Sequence, residues 1–154
     1  MYGRYKFRWE GREMVQEIGL CLFLGYFTYE DIKTRRLSGK GIFLFAIAGG
    51  IISVLFPAYR IGQILLGMGI GGGLLIMSLL SKGGIGVGDG IVVLISGIYL
   101  GVQENCFLLL LALLVSSLYS GFLWIGKKVD RKQKIPFIPF LLVGYIMRLF
   151  FGIV

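Results

Sequence analysis

Apolar residues in this chain fall into six runs separated by short polar stretches, and that pattern leaves room for little except a helical membrane protein. The runs cover residues 15–29, 42–56, 61–80, 90–102, 106–125 and 136–154. A helix crossing the hydrocarbon core needs roughly 20 apolar residues, so a chain of 154 residues has length for about six spans and little else. The chain is 56% hydrophobic and its mean hydropathy is +0.85, well beyond a soluble domain of this size. The expected fold is all-α: a polytopic membrane protein with about six transmembrane helices. Residues 1–13 form an amphipathic lead-in at the lipid interface, with Arg4, Lys6, Arg8 and Arg12 among Tyr2, Tyr5, Phe7 and Trp9. Residues 14–154 form a single transmembrane domain.

The net charge of +8 raises nucleic acid as a partner. The basic residues lie mostly in loops between apolar runs, however, which is how topology signals are distributed. The first, third and fifth loops hold Lys33, Arg35, Arg36, Lys40, Lys82, Lys127, Lys128, Arg131, Lys132 and Lys134. The other side holds Arg60, the basic N-terminal residues and Arg148, near the far end of the last run. The excess places the first set in the cytoplasm, although the basic N-terminus then lies outside, against the rule. Pro57 ends the second run, and Gln103-Glu104-Asn105 reads as a small turn between the fourth and fifth.

Several chemistries are excluded by residue type. The chain has no His, which rules out a Ser-His-Asp triad, a His-ligated zinc and a His general base. Cys21 and Cys106 form no C-x-x-C pair, so no zinc ribbon or thioredoxin-like site exists, and both read as small buried hydrophobes. No cleavable signal peptide is evident. Neither a metal nor a cofactor is expected.

The chemistry-bearing stretch is Lys82-Gly83-Gly84-Ile85-Gly86-Val87-Gly88-Asp89-Gly90, between the third and fourth runs. It lacks the Gly-Lys-Ser/Thr ending of a phosphate loop, and Asp89 would repel phosphate. A carboxylate at a membrane boundary is expensive to hold and usually functional. Asp31, at the end of the first run, falls on the same face by loop count. Two carboxyls close together share a proton over a useful pH range. One then activates water as a base while the other protonates the carbonyl or leaving amine. The plainer alternatives are that Asp31 pairs with Lys33 or Arg35 at the interface and that Asp89 is a helix N-cap.

Gly86-Val87-Gly88-Asp89 matches the GxGD motif of intramembrane-type aspartic proteases. Asp31-Ile32-Lys33-Thr34-Arg35-Arg36-Leu37-Ser38 resembles the first-aspartate segment of type IV prepilin peptidases. Lys134-Ile135-Pro136-Phe137-Ile138-Pro139-Phe140 resembles the segment opening that family's last helix. The three occur in family order and span Asp31 to Gly144. The resemblance implies an aspartic endopeptidase of the prokaryotic cytoplasmic membrane, which removes the short basic leader of prepilin-like substrates on the cytoplasmic side. It also implies Asp31 and Asp89 as the catalytic pair, with Gly86 and Gly88 in the backbone loop that an extended substrate approaches. Membrane lipid and the prepilin-like protein are the implied partners. The chain departs from the family at Leu37-Ser38-Gly39, where Ile-Pro-Asn is usual, and at Ile91, where Lys is common. The cytoplasmic domain with paired C-x-x-C motifs that accompanies N-methylation is absent, so the resemblance is to short, cleavage-only members. Two other functions fit the composition: a small proton-coupled transporter using Asp31 and Asp89 as a relay, and a non-catalytic assembly subunit of a pilus or secretion system.

Overall fold

The computed structural model describes residues 11–81, 86–126 and 136–151. Most of the N-terminal lead-in, Lys82–Ile85 of the glycine stretch and the basic loop from Lys127 to Ile135 lie outside the described residues. Among those described, the regular structure is entirely helical: α1 (Gly11–Thr34), α2 (Gly39–Leu55), α3 (Ile61–Leu80), α4 (Val87–Ile125) and α5 (Ile138–Phe151). Two of these, α3 and α4, are long and apolar enough to cross a membrane.

The helices are apolar on their outer faces as well as their inner ones. On α1 the buried stripe is Leu20, Phe23, Leu24 and Phe27, at helical spacing. The outer face of the same helix shows Ile18, Leu22, Tyr26 and Tyr29. Exposure of Val54, Leu80 and Phe122 reaches nearly four-fifths of the residue surface (79%, 78% and 78%). Water would drive such side chains together, whereas lipid tails solvate them. This also corrects the reading of Cys21 and Cys106, which are exposed rather than buried. In a helix that is apolar all round, residue type does not separate the inner face from the outer.

Local signals set the ends of the helices. Ser38 caps α2, its hydroxyl accepting from the Gly41 N–H at 3.5 Å. The helix stops at Leu55, two residues before Pro57. The α3 N-terminus is closed by Gln63, whose Oε1 accepts from the Arg60 N–H at 3.2 Å. In α1 the backbone leaves the helix at Arg35, which takes the left-handed conformation (φ 51°).

The fourth and fifth apolar runs form one element, broken at Gly101 and not at Gln103-Glu104-Asn105. Gly101 has φ 68° and ψ −172°, a conformation that favours glycine. Asn105 Nδ2 donates to the Val93 and Gly67 carbonyls, each at 3.0 Å, and Ser96 Oγ donates to Asn105 Oδ1 at 2.6 Å. In a straight helix Val93 and Asn105 would stand about 18 Å apart. The chain therefore folds back at Gly101 into two arms, residues 87–100 and 102–125. Glu104 and Asn105 are buried; polar letters that read as a surface turn supply hydrogen bonds inside the bundle.

Packing of α3 against α4 is backbone to backbone. Gly67 and Gly71 are buried on α3, and a Cβ on Gly71 would land on the Leu94 backbone. Gly97 and Gly67 meet in the same way. Gly69 and Gly73, which have identical sequence spacing, face open space. Aromatic rings fill the seam of α1, α2 and α4. Phe23 packs edge-on to Phe27 (5.0 Å) and Phe45 (5.4 Å), and Tyr99 donates its hydroxyl to the Phe45 carbonyl at 2.9 Å.

Arg148, near the far end of the last apolar run, is 7% exposed. Its Nε lies 2.8 Å from Glu104 Oε2, and its Nη2 lies 3.7 Å from Glu17 Oε1. Tyr145 donates to the Glu17 carbonyl at 2.9 Å. These contacts tie α1, α4 and α5 together at one end of the bundle. Arg148 stands ten residues beyond Ile138, about 15 Å along α5, so the candidate site occupies the other end.

Candidate active site

Three inward stripes converge at that other end. On α1 the stripe Leu20, Phe23, Leu24, Phe27 continues one turn later at Asp31. On α4, Asp89 precedes the buried Val92, Val93 and Ser96 at the same spacing. On α5 the buried residues Ile138, Leu141, Tyr145 and Arg148 begin at Ile138. Helical periodicity thus aims Asp31, Asp89 and the head of α5 at one place.

The corner after α1 is fixed by its own polar groups. Thr34 Oγ1 donates to the Glu30 carbonyl at 2.8 Å and accepts from the Arg36 N–H at 3.3 Å. The Glu30 carboxylate accepts from the Ser38 N–H at 2.9 Å. Leu37, held between them, packs onto Gly88; a Cβ there would meet Leu37 Cδ1 at 2.8 Å. Lys33 turns away to the Tyr29 hydroxyl at 3.1 Å and to its ring. Lys33 is therefore directed at Tyr29, while Arg35 acts on Asp31 through its charge.

Asp31 and Asp89 stand near helix ends, just outside the apolar runs 15–29 and 90–102. The Ile138 backbone amide, at the head of α5, favours the charged form of Asp31. Its Oδ2 is buried with no hydrogen-bond partner among the described residues, as is Thr28 Oγ1 one turn earlier on α1. Burial pushes the Asp31 carboxyl up from its ordinary value, against the pull of the Ile138 amide and the Arg35 charge. Asp89 is pushed up to about 6, first by burial and then by the Asp31 charge, with the Gly86 N–H opposing both. The Asp31 charge reaches Asp89, so the two carboxyls stand toward the same end of the bundle.

Asp89 is not the N-cap of α4. Gly86 holds that position, and Asp89 stands three residues on, where the Gly86 amide favours its charged form. Asp89 Oδ2 rests 2.7 Å from where a Cβ on Gly86 would be, so the first glycine of the motif makes room for the chain's own aspartate. Gly88 makes room for Leu37. Ile91 is partly buried against the core.

Gly86→Ala is expected to leave the fold intact, because the methyl meets the movable end of a short side chain, and to displace the carboxyl. A misplacement of this kind costs on the order of 10²-fold in rate. Turnover and thermal unfolding of the same sample check it; unchanged turnover would remove the positional role of Gly86.

Sequence reasoning did not find the Ile138 amide. The only signal was the segment Lys134 to Phe140, with Pro136 and Pro139 around the start of α5.

A sequence model of the type IV leader peptidase family matches residues 18–125. That range includes both aspartates and well over half of the chain. The chain belongs to the type IV leader peptidase family. Neither the comparison with curated proteins nor that with solved structures gives a match.

Proposed function

We propose that the chain is a membrane-embedded aspartic endopeptidase that removes the basic leader of a prepilin-like protein on the cytoplasmic side of the membrane. The observation that carries this reading is the electrostatic coupling of two partly buried carboxyls, Asp31 and Asp89, at one end of the bundle. With Asp89 pushed up to about 6, such a pair shares a single proton in mildly acidic solution. The ionised member takes a proton from water, whose oxygen attacks the scissile carbonyl carbon. The protonated member gives its proton to the carbonyl oxygen, forming a tetrahedral diol. The C–N bond then breaks as the amine nitrogen takes the first proton, and a diol hydroxyl returns the second. Gly86 and Gly88 line the aspartate side of the site.

In this reading the two arms of α4 are separate spans, which brings the total to six and places the site at the cytoplasmic boundary. The substrate's apolar helix stays in lipid while its leader junction reaches the carboxyls. The purified protein, reconstituted in liposomes, should shorten a prepilin-like substrate by its leader, seen as a gel shift and placed by N-terminal sequencing. Failure to cleave any prepilin-like substrate would turn the reading toward the non-catalytic subunit.

The topology has its own test. Cys21 and Cys106 are exposed, so both are first replaced by Ser. Single cysteines at Lys33, Lys82 or Lys132 are then expected to be shielded from an impermeant thiol reagent in intact cells. Labelling of all three from outside would place the carboxyls on the wrong side for leader removal.

A further inference from the structure

The last two turns of α1, residues 28–34, carry six polar side chains, and most of them are engaged. Lys33 Nζ donates to the Tyr29 hydroxyl at 3.1 Å. The Glu30 carboxylate accepts from the Ser38 N–H at 2.9 Å. Thr34 Oγ1 donates to the Glu30 carbonyl, four residues back, at 2.8 Å. Thr28 does not close onto its own helix in this way. Its Oγ1, like Asp31 Oδ2, is buried with no hydrogen-bond partner among the described residues. The two residues lie three apart and continue the buried stripe of α1: Thr28 one turn beyond Leu24, Asp31 one turn beyond Phe27. Their side chains therefore leave the helix on one face, toward the interior.

Buried oxygens of this kind are rarely left unpaired in a working protein, and ordered water commonly completes them. Residues three apart on a helix hold their Cβ atoms about 5–6 Å from one another. The two oxygens do not bond each other, and a gap of that size is spanned by one water making two bonds of about 2.8 Å. The place is also next to the second carboxyl. Leu37, just past the end of α1, packs against Gly88, the chain neighbour of Asp89.

We propose that Thr28 belongs to the peptidase site: Thr28 Oγ1 and Asp31 Oδ2 hold between them the water that attacks the scissile carbonyl. This rests on the peptidase reading above. A hydroxyl oxygen and a carboxyl oxygen can both accept hydrogen bonds. A water that gives one O–H to each keeps both lone pairs of its oxygen free, and one of them forms the new bond to the carbonyl carbon. The water's proton passes to the carboxyl pair. The Thr28 hydroxyl takes no proton and contributes by fixing where the nucleophile stands.

Two substitutions separate the hydroxyl from the methyl. Thr28→Val removes the hydroxyl and keeps the β-branched shape, whereas Thr28→Ser keeps the hydroxyl and removes the methyl. Both are compared with the wild type as full chains in liposomes, cleaving a purified prepilin-like substrate. Thermal unfolding is run on the same preparations. Thr28→Val is expected to lower kcat about 10-fold, the effect of one hydrogen bond lost at the transition state, with KM unchanged. Thr28→Ser is expected to keep kcat near the wild-type value. The split between kcat and KM matters because a misplaced water leaves substrate affinity alone, while a lost substrate contact does not.

A Thr28→Val variant with wild-type kcat would overturn the proposal. If its thermal stability also rises, the hydroxyl is an unpaired buried group whose removal relieves a desolvation penalty. A raised KM with unchanged kcat would give the hydroxyl to the substrate backbone instead of to water. Equal losses of kcat in Thr28→Val and Thr28→Ser would make packing the cause, and not the hydroxyl. If Thr28→Val does not assemble, Thr28→Ala against Thr28→Ser makes the same comparison. A wild type that cleaves no prepilin-like substrate sinks the peptidase reading and this role with it. A wild type that cleaves, matched by Thr28→Val, sinks the role of Thr28 only.

Discussion

Replacing either Asp31 or Asp89 by Asn is expected to lower prepilin cleavage on the order of 10³-fold or more while the protein stays folded in the membrane. Asn keeps the shape of the carboxyl but cannot exchange its proton, and the proposed reaction needs both a carboxylate and a carboxylic acid. Each single change removes one of the two states, so the double variant loses little more than either single one. Folding is expected to survive because neither carboxyl is the keystone of the packing. The backbone amides that act on the pair, Gly86 on Asp89 and Ile138 on Asp31, can be met by an Asn carbonyl oxygen as well as by a carboxylate. Burial raises both carboxyls, so losing the charge relieves a desolvation penalty. Either variant is therefore expected to match or exceed the wild type in thermal stability at neutral pH. Gel-shift cleavage and thermal unfolding, run on one preparation, separate the two effects. Near-wild-type cleavage by either variant would make that aspartate structural and end the dyad mechanism. Loss of cleavage together with loss of folding would place the residue in the packing instead.

Much of the fold was legible because helix-length apolar runs leave little choice. The third run, 61–80, coincides with α3, and the first two lie inside α1 and α2 to within a residue. The break at Gly101 was not legible. Glycines are scattered through every run, and only the fold-back of Asn105 onto the Val93 and Gly67 carbonyls selects this one. The polar triplet Gln103-Glu104-Asn105 misled for the same reason. Lone polar residues inside an apolar stretch look like a loop when they are buried donors and acceptors. The outer faces misled about Cys21 and Cys106, since lipid asks for the same residues as the core.

The candidate site was more legible than the packing around it. Asp31 continues the stripe of Phe23, Leu24 and Phe27, and the glycines around Asp89 mark a close approach. The motif did not reveal what approaches. The structure gives Gly86 to the Asp89 carboxyl and Gly88 to Leu37. The Ile138 amide was hidden because backbone donors carry no letter in a sequence.

The glycines of α3 provide the second large effect, and a matched comparison within one helix. Gly67/Gly71 and Gly69/Gly73 are both small-xxx-small pairs, and sequence alone cannot rank them. In the structure the Gly71 Cα faces the Leu94 backbone, and an added methyl would collide with main-chain atoms. A side chain can swing aside, but main chain in the middle of α4 can do so only by moving the arm. Separating α3 from α4 would also pull Gly97 from Gly67 and strain the Asn105 bond to the Gly67 carbonyl. Gly71→Ala is therefore expected to destabilise the protein by about 3 kcal/mol or more, the upper range for overpacking. Gly73→Ala, with nothing within 4 Å of the added carbon, is expected to be neutral or to stabilise α3 by up to about 1 kcal/mol through helix propensity. Thermal or denaturant unfolding in one detergent, with the wild type beside both variants, measures the difference. Equal stability of Gly71→Ala and Gly73→Ala would mean that α3 and α4 do not pack through these glycines. The arm of α4 that carries Asp89 would then be held in place by some other contact.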